Sequence, residues 1–187
     1  MDGHWAKAQV NEMYSRKIIN GVADGIFEAN RGITRAEFAT IVVKALGLEP
    51  KGSNSFKDVN TSDWFYDYVG TASSYGIILG VGEGKFDALR SITREEAMAM
   101  VQRAAKIAGM NVNVTDAEIA NSLAKFTDYN EFSPWAQSVA AFNIQESLIQ
   151  GVNGIARPKD NITRAETAVV IMRMLQKSEL IDSRIKA

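Results

Sequence analysis

Three copies of one pentapeptide constrain this chain more than any other feature. Ile-Thr-Arg-Ala-Glu runs from Ile33 to Glu37, Ile-Thr-Arg-Glu-Glu from Ile92 to Glu96, and Ile-Thr-Arg-Ala-Glu from Ile162 to Glu166. A motif that returns three times in 187 residues marks a repeat protein, whose units share one plan. The pentapeptide also has local physics. Thr34, Thr93 and Thr163 stand where a helix N-cap is expected, and Glu37, Glu96 and Glu166 follow three residues later. That spacing is the capping box, in which the two side chains satisfy backbone donors at a helix start. Capping does not explain the residue between them. Arg35, Arg94 and Arg164 place a cation in the first helical turn, where the helix dipole disfavours it. Such a cation calls for a structural partner or an external anion.

Around each motif the same sequence of features recurs. A tryptophan starts a helical stripe, a glycine closes it 16 residues later, a glycine-punctuated turn follows, and then comes the capped helix. The pairs are Trp5 with Gly21, Trp64 with Gly80, and Trp135 with Gly151. In the first unit Trp5, Val10, Met13, Tyr14 and Ile18 form the stripe, with Gly21 read as a left-handed residue beyond the helix. Gly47 and Gly109 stop the first two capped helices. Ser133 as cap and Pro134 as first helical residue start the first helix of the third unit. Residues 110–125 have no counterpart between the first two units, and the capping box Thr115 to Glu118 with Ile119 and Leu123 predicts an extra short helix there. The boundaries read from this pattern are 2–50 for unit one, 53–109 for unit two, 110–125 for the connecting segment, 126–176 for unit three and 177–187 for a polar tail. The fold class is mainly α. One apolar stripe per helix cannot be buried within a single unit, so neighbouring units must share a core. Linear stacking and closure into a pseudo-threefold body both satisfy that requirement.

Composition removes several function classes. The formal charge of -1 gives no field of one sign for nucleic acid or an anionic membrane. Without cysteine there is neither a disulfide scaffold nor a thiolate metal site. A single histidine, His4, cannot supply a multi-imidazole zinc site and has no serine or cysteine arrangement beside it. No apolar run reaches 18 residues, so no membrane-inserting helix is predicted, and no signal peptide is visible. Met1 leads straight into repeat material, as an expression start on a mature fragment would. Carboxylates such as Asp58 and Asp128 begin comparable segments and read as turn caps rather than as a glycosidase pair. The expectation is therefore a protein with no catalytic residues, no metal and no cofactor.

The candidate site residues follow from the repetition. Arg35, Arg94 and Arg164 either staple the glycine turns to the helices through carboxylates such as Asp24 or Glu83, or face grooves between units and hold an anionic group with a planar fork. Trp5, Trp64 and Trp135 are either core anchors or rim indoles able to stack on a sugar face. Gly25, Gly84 and Gly154 supply turn geometry and a backbone that a ligand can approach.

Taken together, Phe56-Lys57-Asp58, Trp64, Gly76 to Gly80, Gly84-Lys85-Phe86 and Ile92 to Glu96 resemble an S-layer homology (SLH) domain. The pattern returns in Trp5, Ile18 to Gly21, Gly25 to Phe27 and Ile33 to Glu37, and again in Phe126 to Asp128, Trp135-Ala136, Leu148 to Gly151 and Ile162 to Glu166. The resemblance implies three helix-loop-helix SLH repeats in a compact pseudo-threefold body with a central helical bundle. It implies an extracellular module at the bacterial cell wall or S-layer that anchors proteins of Gram-positive bacteria. The implied partner is an anionic cell-wall polysaccharide, the secondary cell wall polysaccharide, met at a pyruvylated N-acetylmannosamine terminus. On the family pattern Arg35, Arg94 and Arg164 line inter-repeat grooves, with Trp5, Trp64, Trp135, Gly25, Gly84 and Gly154 as further ligand-binding positions. Neighbouring surface-layer domains of a full-length protein are further candidate partners. The alternative reading is a protein-interaction or surface-assembly scaffold whose arginines serve internal ion pairs.

Departures from the pattern predict unequal grooves. Unit one lacks the Phe-x-Asp lead-in, and unit three has a turn one residue shorter with Ala156 where Phe27 and Phe86 stand. Glu95 adds a negative charge beside Arg94, either weakening an acidic ligand's attraction or facing solvent.

Overall fold

The computed structural model describes residues 1, 3–53 and 56–182. Among them seven α-helices are present: α1 (Lys7–Ser15), α2 (Arg35–Ala45), α3 (Tyr66–Ser74), α4 (Arg94–Ile107), α5 (Asp116–Leu123), α6 (Gln137–Gln145) and α7 (Arg164–Lys177). Capping boxes at Thr34, Thr93, Thr115 and Thr163 start α2, α4, α5 and α7 with both reciprocal bonds in place. The predicted extra helix is thus α5, and it packs on α6.

The three helices that begin at the repeated motif, α2, α4 and α7, touch one another pairwise and form the centre. The first helix of each unit packs not within its own unit but on the capped helix of the preceding one: α3 on α2, α6 on α4 and α1 on α7. The last pair joins unit three back to unit one, so the units form a closed ring rather than a linear stack. The seam is drawn by the motif isoleucines. Ile92 N–H donates to Ile33 O (3.0 Å), Ile162 N–H to Ile92 O (3.1 Å) and Ile33 N–H to Ile162 O (3.1 Å). All three side chains are fully buried. A cyclic set of backbone bonds spanning such separations closes only when every unit has the same backbone shape at this position. The motif supplies that shape, because each cap threonine is held extended by its box. Burial follows position. α7 is buried nearly all round, from Ala165 and Ala168 to Met174 and Leu175, as a central helix must be.

Several local expectations are corrected. Trp5 and Tyr14 do not belong to the buried stripe of α1; they are exposed, and Val10 and Met13 carry the burial. The left-handed residue after α1 is Lys17 (φ 60°), with Gly76 and Ser147 at the matching places after α3 and α6, and not Gly21. Gly21 is glycine because a Cβ there would stand 2.7 Å from the carbonyl oxygen of Ile26. Ser133 makes no side-chain cap; Pro134 opens a 3₁₀ turn, Pro134–Ala136, ahead of α6. Its hydroxyl instead donates to Glu95 (2.9 Å), which also accepts from the Ser133 N–H (3.0 Å) and Lys159 Nζ (2.6 Å). Glu95 is therefore buried and ion-paired with Lys159 rather than facing solvent. The predicted tail from residue 177 is only partly tail, since Ile181 packs against the core, and residues 183–187 lie outside the described residues.

Candidate functional site

Each motif arginine leaves its own helix and reaches the following unit. Arg35 donates from Nε to Phe86 O (2.9 Å), from Nη2 to Leu79 O (3.3 Å) and from Nη1 to Glu96 (3.2 Å). Arg94 does the same to Ala156 O (3.0 Å), Gln150 O (3.2 Å) and Glu166 (2.7 Å). Arg164 closes the cycle on Phe27 O (2.9 Å), Asn20 O (2.7 Å) and Glu37 (3.5 Å). The carboxylate partner is thus the next unit's motif glutamate, and not Asp24 or Glu83. All three side chains are at most 7% exposed. Burial draws each guanidinium below the ordinary arginine range, and the facing glutamate opposes that shift; arginine stays charged throughout. Phe86 and Phe27 lie under Arg35 and Arg164 at 4.8 and 4.7 Å from the ring centre, a cover that Ala156 cannot give Arg94.

Above each arginine lies a groove built from all three units. The first holds Arg35 from unit one, Gly80, Val81 and the α4 residues Met100 and Arg103 from unit two, and Trp135 from unit three. The second joins Arg94, Gly151, Val152, Val170 and Arg173 with Trp5. The third joins Arg164, Gly21, Val22, Ile41 and Lys44 with Trp64. Their volumes are about 370, 410 and 190 Å³. They are unequal, as the sequence predicts, but the shortened unit-three turn borders the largest of them. The indoles are 62%, 61% and 53% exposed at Trp5, Trp64 and Trp135, which removes the core-anchor reading. Gly25, Gly84 and Gly154 take left-handed φ of 68°, 73° and 72° in the turns, and the glycines that border the grooves are Gly21, Gly80 and Gly151.

A second cation in each groove was not singled out from the sequence. Lys44, Arg103 and Arg173 each stand nine residues after a motif arginine, a register that superposing the three copies reveals. Arg103 and Arg173 donate only to backbone carbonyls, Ile77 O at 3.4 Å and Leu148 O at 3.3 Å. Neither forms an ion pair among the described residues, and desolvation alone lowers the pKa of each. Lys44 instead lies over the Tyr68 ring at 5.5 Å. A half-buried guanidinium without a counter-charge, facing an exposed indole, is suited to an anion carried on an apolar or sugar framework.

The lead-in carboxylates serve the turns. Asp58 accepts from the Phe86 and Asp87 N–H groups (2.9 and 2.8 Å), and Asp128 from those of Ala156 and Arg157 (2.8 and 2.6 Å). Desolvation works to raise the Asp58 pKa, and those two amides pull it lower on balance. Among the described residues no acidic or histidine cluster is gathered to hold a metal ion, and no helix is long and apolar enough to cross a membrane.

Comparison with known proteins fits this geometry. The family model described as S-layer homology domain matches residues 1–39, 55–98 and 125–168. An amylopullulanase of Thermoanaerobacterium thermosulfurigenes is 34% identical over 94% of this chain and 9% of its own length. The surface-layer 125 kDa protein of Lysinibacillus sphaericus is 32% identical over 92% of the chain and 14% of its own length. Exoglucanase XynX of Acetivibrio thermocellus is 33% identical, with 94% and 16% covered. The chain therefore spans less than a fifth of the length of these relatives.

Proposed function

The chain belongs to the S-layer homology domain family, and from that premise we propose that it binds the secondary cell wall polysaccharide through its inter-unit grooves, at a pyruvylated N-acetylmannosamine terminus. SLH domains anchor proteins to the bacterial cell wall and are themselves non-catalytic. The observation that supports the finer reading most is the pairing of an uncompensated arginine with an exposed indole. Arg103 faces the groove of Trp135, and Arg173 that of Trp5. A ketal carboxylate meets the guanidinium fork while the pyranose ring lies along the indole. Arg35, Arg94 and Arg164 contribute positive potential from beneath and hold the groove walls together. Because every groove takes residues from all three units, a glycan binds the closed ring and not a single repeat.

The test is binding to purified cell-wall sacculi before and after removal of their secondary polysaccharide, followed by calorimetry with a synthetic pyruvylated monosaccharide. Loss of binding on stripping, with affinity for the monosaccharide, supports the proposal. Equal binding to stripped walls would sink it. The scaffold alternative draws on the inter-unit ion pairs of the three motif arginines, which account for those side chains without any ligand. A stable complex with another surface protein and no glycan affinity would favour it.

A further inference from the structure

Each motif arginine binds the backbone carbonyl of a residue that precedes a glycine in the next unit. The pairs are Leu79-Gly80, Gln150-Gly151 and Asn20-Gly21. Packing fixes the glycine, because a Cβ on Gly80, Gly151 or Gly21 would run into the carbonyl oxygen of Lys85, Ile155 or Ile26. The residue before it is exposed in all three units, so its side chain is free to differ. Of the three side chains, asparagine is the one suited to react with its own neighbour. An Asn-Gly bond loses ammonia when the glycine nitrogen attacks the side-chain carbonyl and closes a five-membered imide. Glutamine must close a larger ring, and leucine offers no carbonyl.

Unit one adds two further conditions at that bond. The Gly21 N–H and the Asn20 side-chain amide have no hydrogen-bond partner among the described residues. Arg164 Nη2 donates to Asn20 O at 2.7 Å, against 3.3 Å from Arg35 to Leu79 O and 3.2 Å from Arg94 to Gln150 O. That carbonyl belongs to the same amide as the Gly21 N–H. The guanidinium therefore stabilises the charge that develops on the oxygen when the nitrogen gives up its proton. The sequence has one other Asn-Gly bond, Asn153-Gly154, and it is placed differently. Reciprocal bonds between Val152 and Ile155 (3.0 Å each) hold it inside a tight turn, and among the described residues no cation reaches the Asn153 carbonyl.

We infer that Asn20 is a site of self-modification in the folded protein, and that the carboxylate it forms closes the third groove to anionic ligands. Hydroxide takes the Gly21 N–H proton, the nitrogen bonds to Asn20 Cγ, and the Cγ–Nδ2 bond breaks as ammonia leaves with a proton from water. Water then opens the imide at either carbonyl. The product is aspartate, or isoaspartate with the main chain running through the former side chain. Asn20 lines the groove of Arg164, Lys44 and Trp64, so either product adds a negative charge there. Leu79 and Gln150 hold the same place in the other two grooves, which keep their charge. The closure rests on the anionic-glycan reading above; the conversion itself does not.

The experiment ages the whole chain in mildly alkaline buffer and locates converted residues by mass spectrometry after acid-protease digestion. In the folded protein Asn20 should convert at least ~10-fold faster than Asn153, with Gln150 unchanged, because Asn20 combines ready ring closure with a cation on the reacting amide. In urea the two Asn-Gly bonds should convert at similar rates. Arg164→Met should slow Asn20 in protein that keeps the wild-type circular dichroism, and the comparison of folded with urea-treated wild type stands whether or not that variant folds. For the groove, fresh protein, the aged fraction and Asn20→Asp are titrated with the pyruvylated monosaccharide while the three indole N–H signals are followed. The affinity read at Trp64 should fall about 10-fold in the aged and substituted forms and stay the same at Trp135 and Trp5, since a like charge enters one groove alone. The inference is overturned if folded Asn20 converts no faster than Asn153, or if Trp64 responds equally in fresh and aged protein. Fresh protein whose indoles do not respond would overturn the glycan reading and the closure with it, while the Asn20 rate still decides the modification.

Discussion

Arg94 Nη1 lies 2.7 Å from Glu166 Oε1, the shortest of the three ion pairs that the motif arginines make between units, and a third residue explains the order. Glu37 is held first by Arg31 of its own unit at 2.6 Å, and Glu96 by Arg90 at 2.7 Å. The inter-unit contacts to those glutamates stretch accordingly, to 3.5 Å from Arg164 and 3.2 Å from Arg35. In unit three Arg157 comes no closer to Glu166 than 3.9 Å, so Arg94 has that carboxylate nearly to itself. Glu166 thus compensates Arg94 for the missing aromatic cover at Ala156.

Removing a single arginine should therefore cost most at the second seam. Arg94→Met leaves Glu166 without its close cation and two carbonyls, Ala156 O and Gln150 O, without their donor. Breaking such a buried pair costs about 3–5 kcal/mol, and the partial exposure of Glu166 places the expected loss near about 3 kcal/mol. Arg164→Met should cost less, because Arg31 still neutralises Glu37. Urea denaturation of both variants, with Arg94→Met/Glu166→Gln completing a double-mutant cycle, gives the coupling directly. Equal losses at the two seams would contradict this account of the distances.

The second cations are expected to behave in the opposite way. Arg103→Met and Arg173→Met remove a charge with no ionic partner, and the aliphatic stem that lines the groove is largely kept. Melting temperatures should stay nearly unchanged. Affinity for the pyruvylated monosaccharide should fall about 10- to 100-fold at the altered groove, the span of about 1.5–3 kcal/mol for a hydrogen bond to a charged group. Trp135→Ala should weaken the first groove by about 10-fold without destabilising the fold, since the indole is exposed. If Arg103→Met lowers stability and leaves binding intact, its role is structural.

What could be read from the sequence was whatever is local. The capping boxes span three residues, so Thr34, Thr93, Thr115 and Thr163 could be placed from spacing alone, and the extra helix with them. The arginine partners could not be read this way, because Arg94 and Glu166 are 72 positions apart and belong to different units. The guess of Asp24 or Glu83 looked within one unit, where the closed ring looks to the next. Periodicity also misled at Trp5 and Tyr14: an aromatic at helical spacing reads as core, and only the tertiary position shows that the indole borders a groove formed by two other units. Arg103 and Arg173 were legible in principle from the shared register, yet an arginine late in a helix reads as an ordinary solvated residue.

Acid should loosen the seams. Desolvation tends to raise the Glu37 and Glu96 pKa values, but hydrogen bonds from Arg31 or Arg90, the threonine N–H and the neighbouring unit's arginine bring both below the ordinary value. A carboxyl whose folded pKa is depressed contributes stability above its unfolded value, about 4.3 for glutamate, and that contribution disappears as pH falls through the folded value. Urea midpoints should hold steady from neutral pH to about 5 and fall below about 4. Glu96→Gln should be less stable at neutral pH and lose less on acidification. An unchanged acid slope in that variant would remove Glu96 from the titration.

Ring closure makes a prediction about cooperativity. In an open array, stability is a sum over units and nearest-neighbour contacts, so damage at one end leaves the far units folded. Here unit three is bonded to both neighbours: Ile162 N–H donates to Ile92 O, and Ile162 O accepts from Ile33 N–H. Ile162→Ala removes a fully buried side chain at this junction and should cost about 2–5 kcal/mol. The loss should appear in hydrogen exchange of α2 in unit one as strongly as in α7, because opening the ring unseats both. Trp5 and Trp64 fluorescence should report the same urea midpoint as the helical circular dichroism signal. A variant in which unit three melts first, with α2 still protected, would show that α1 and α7 meet without locking the ring.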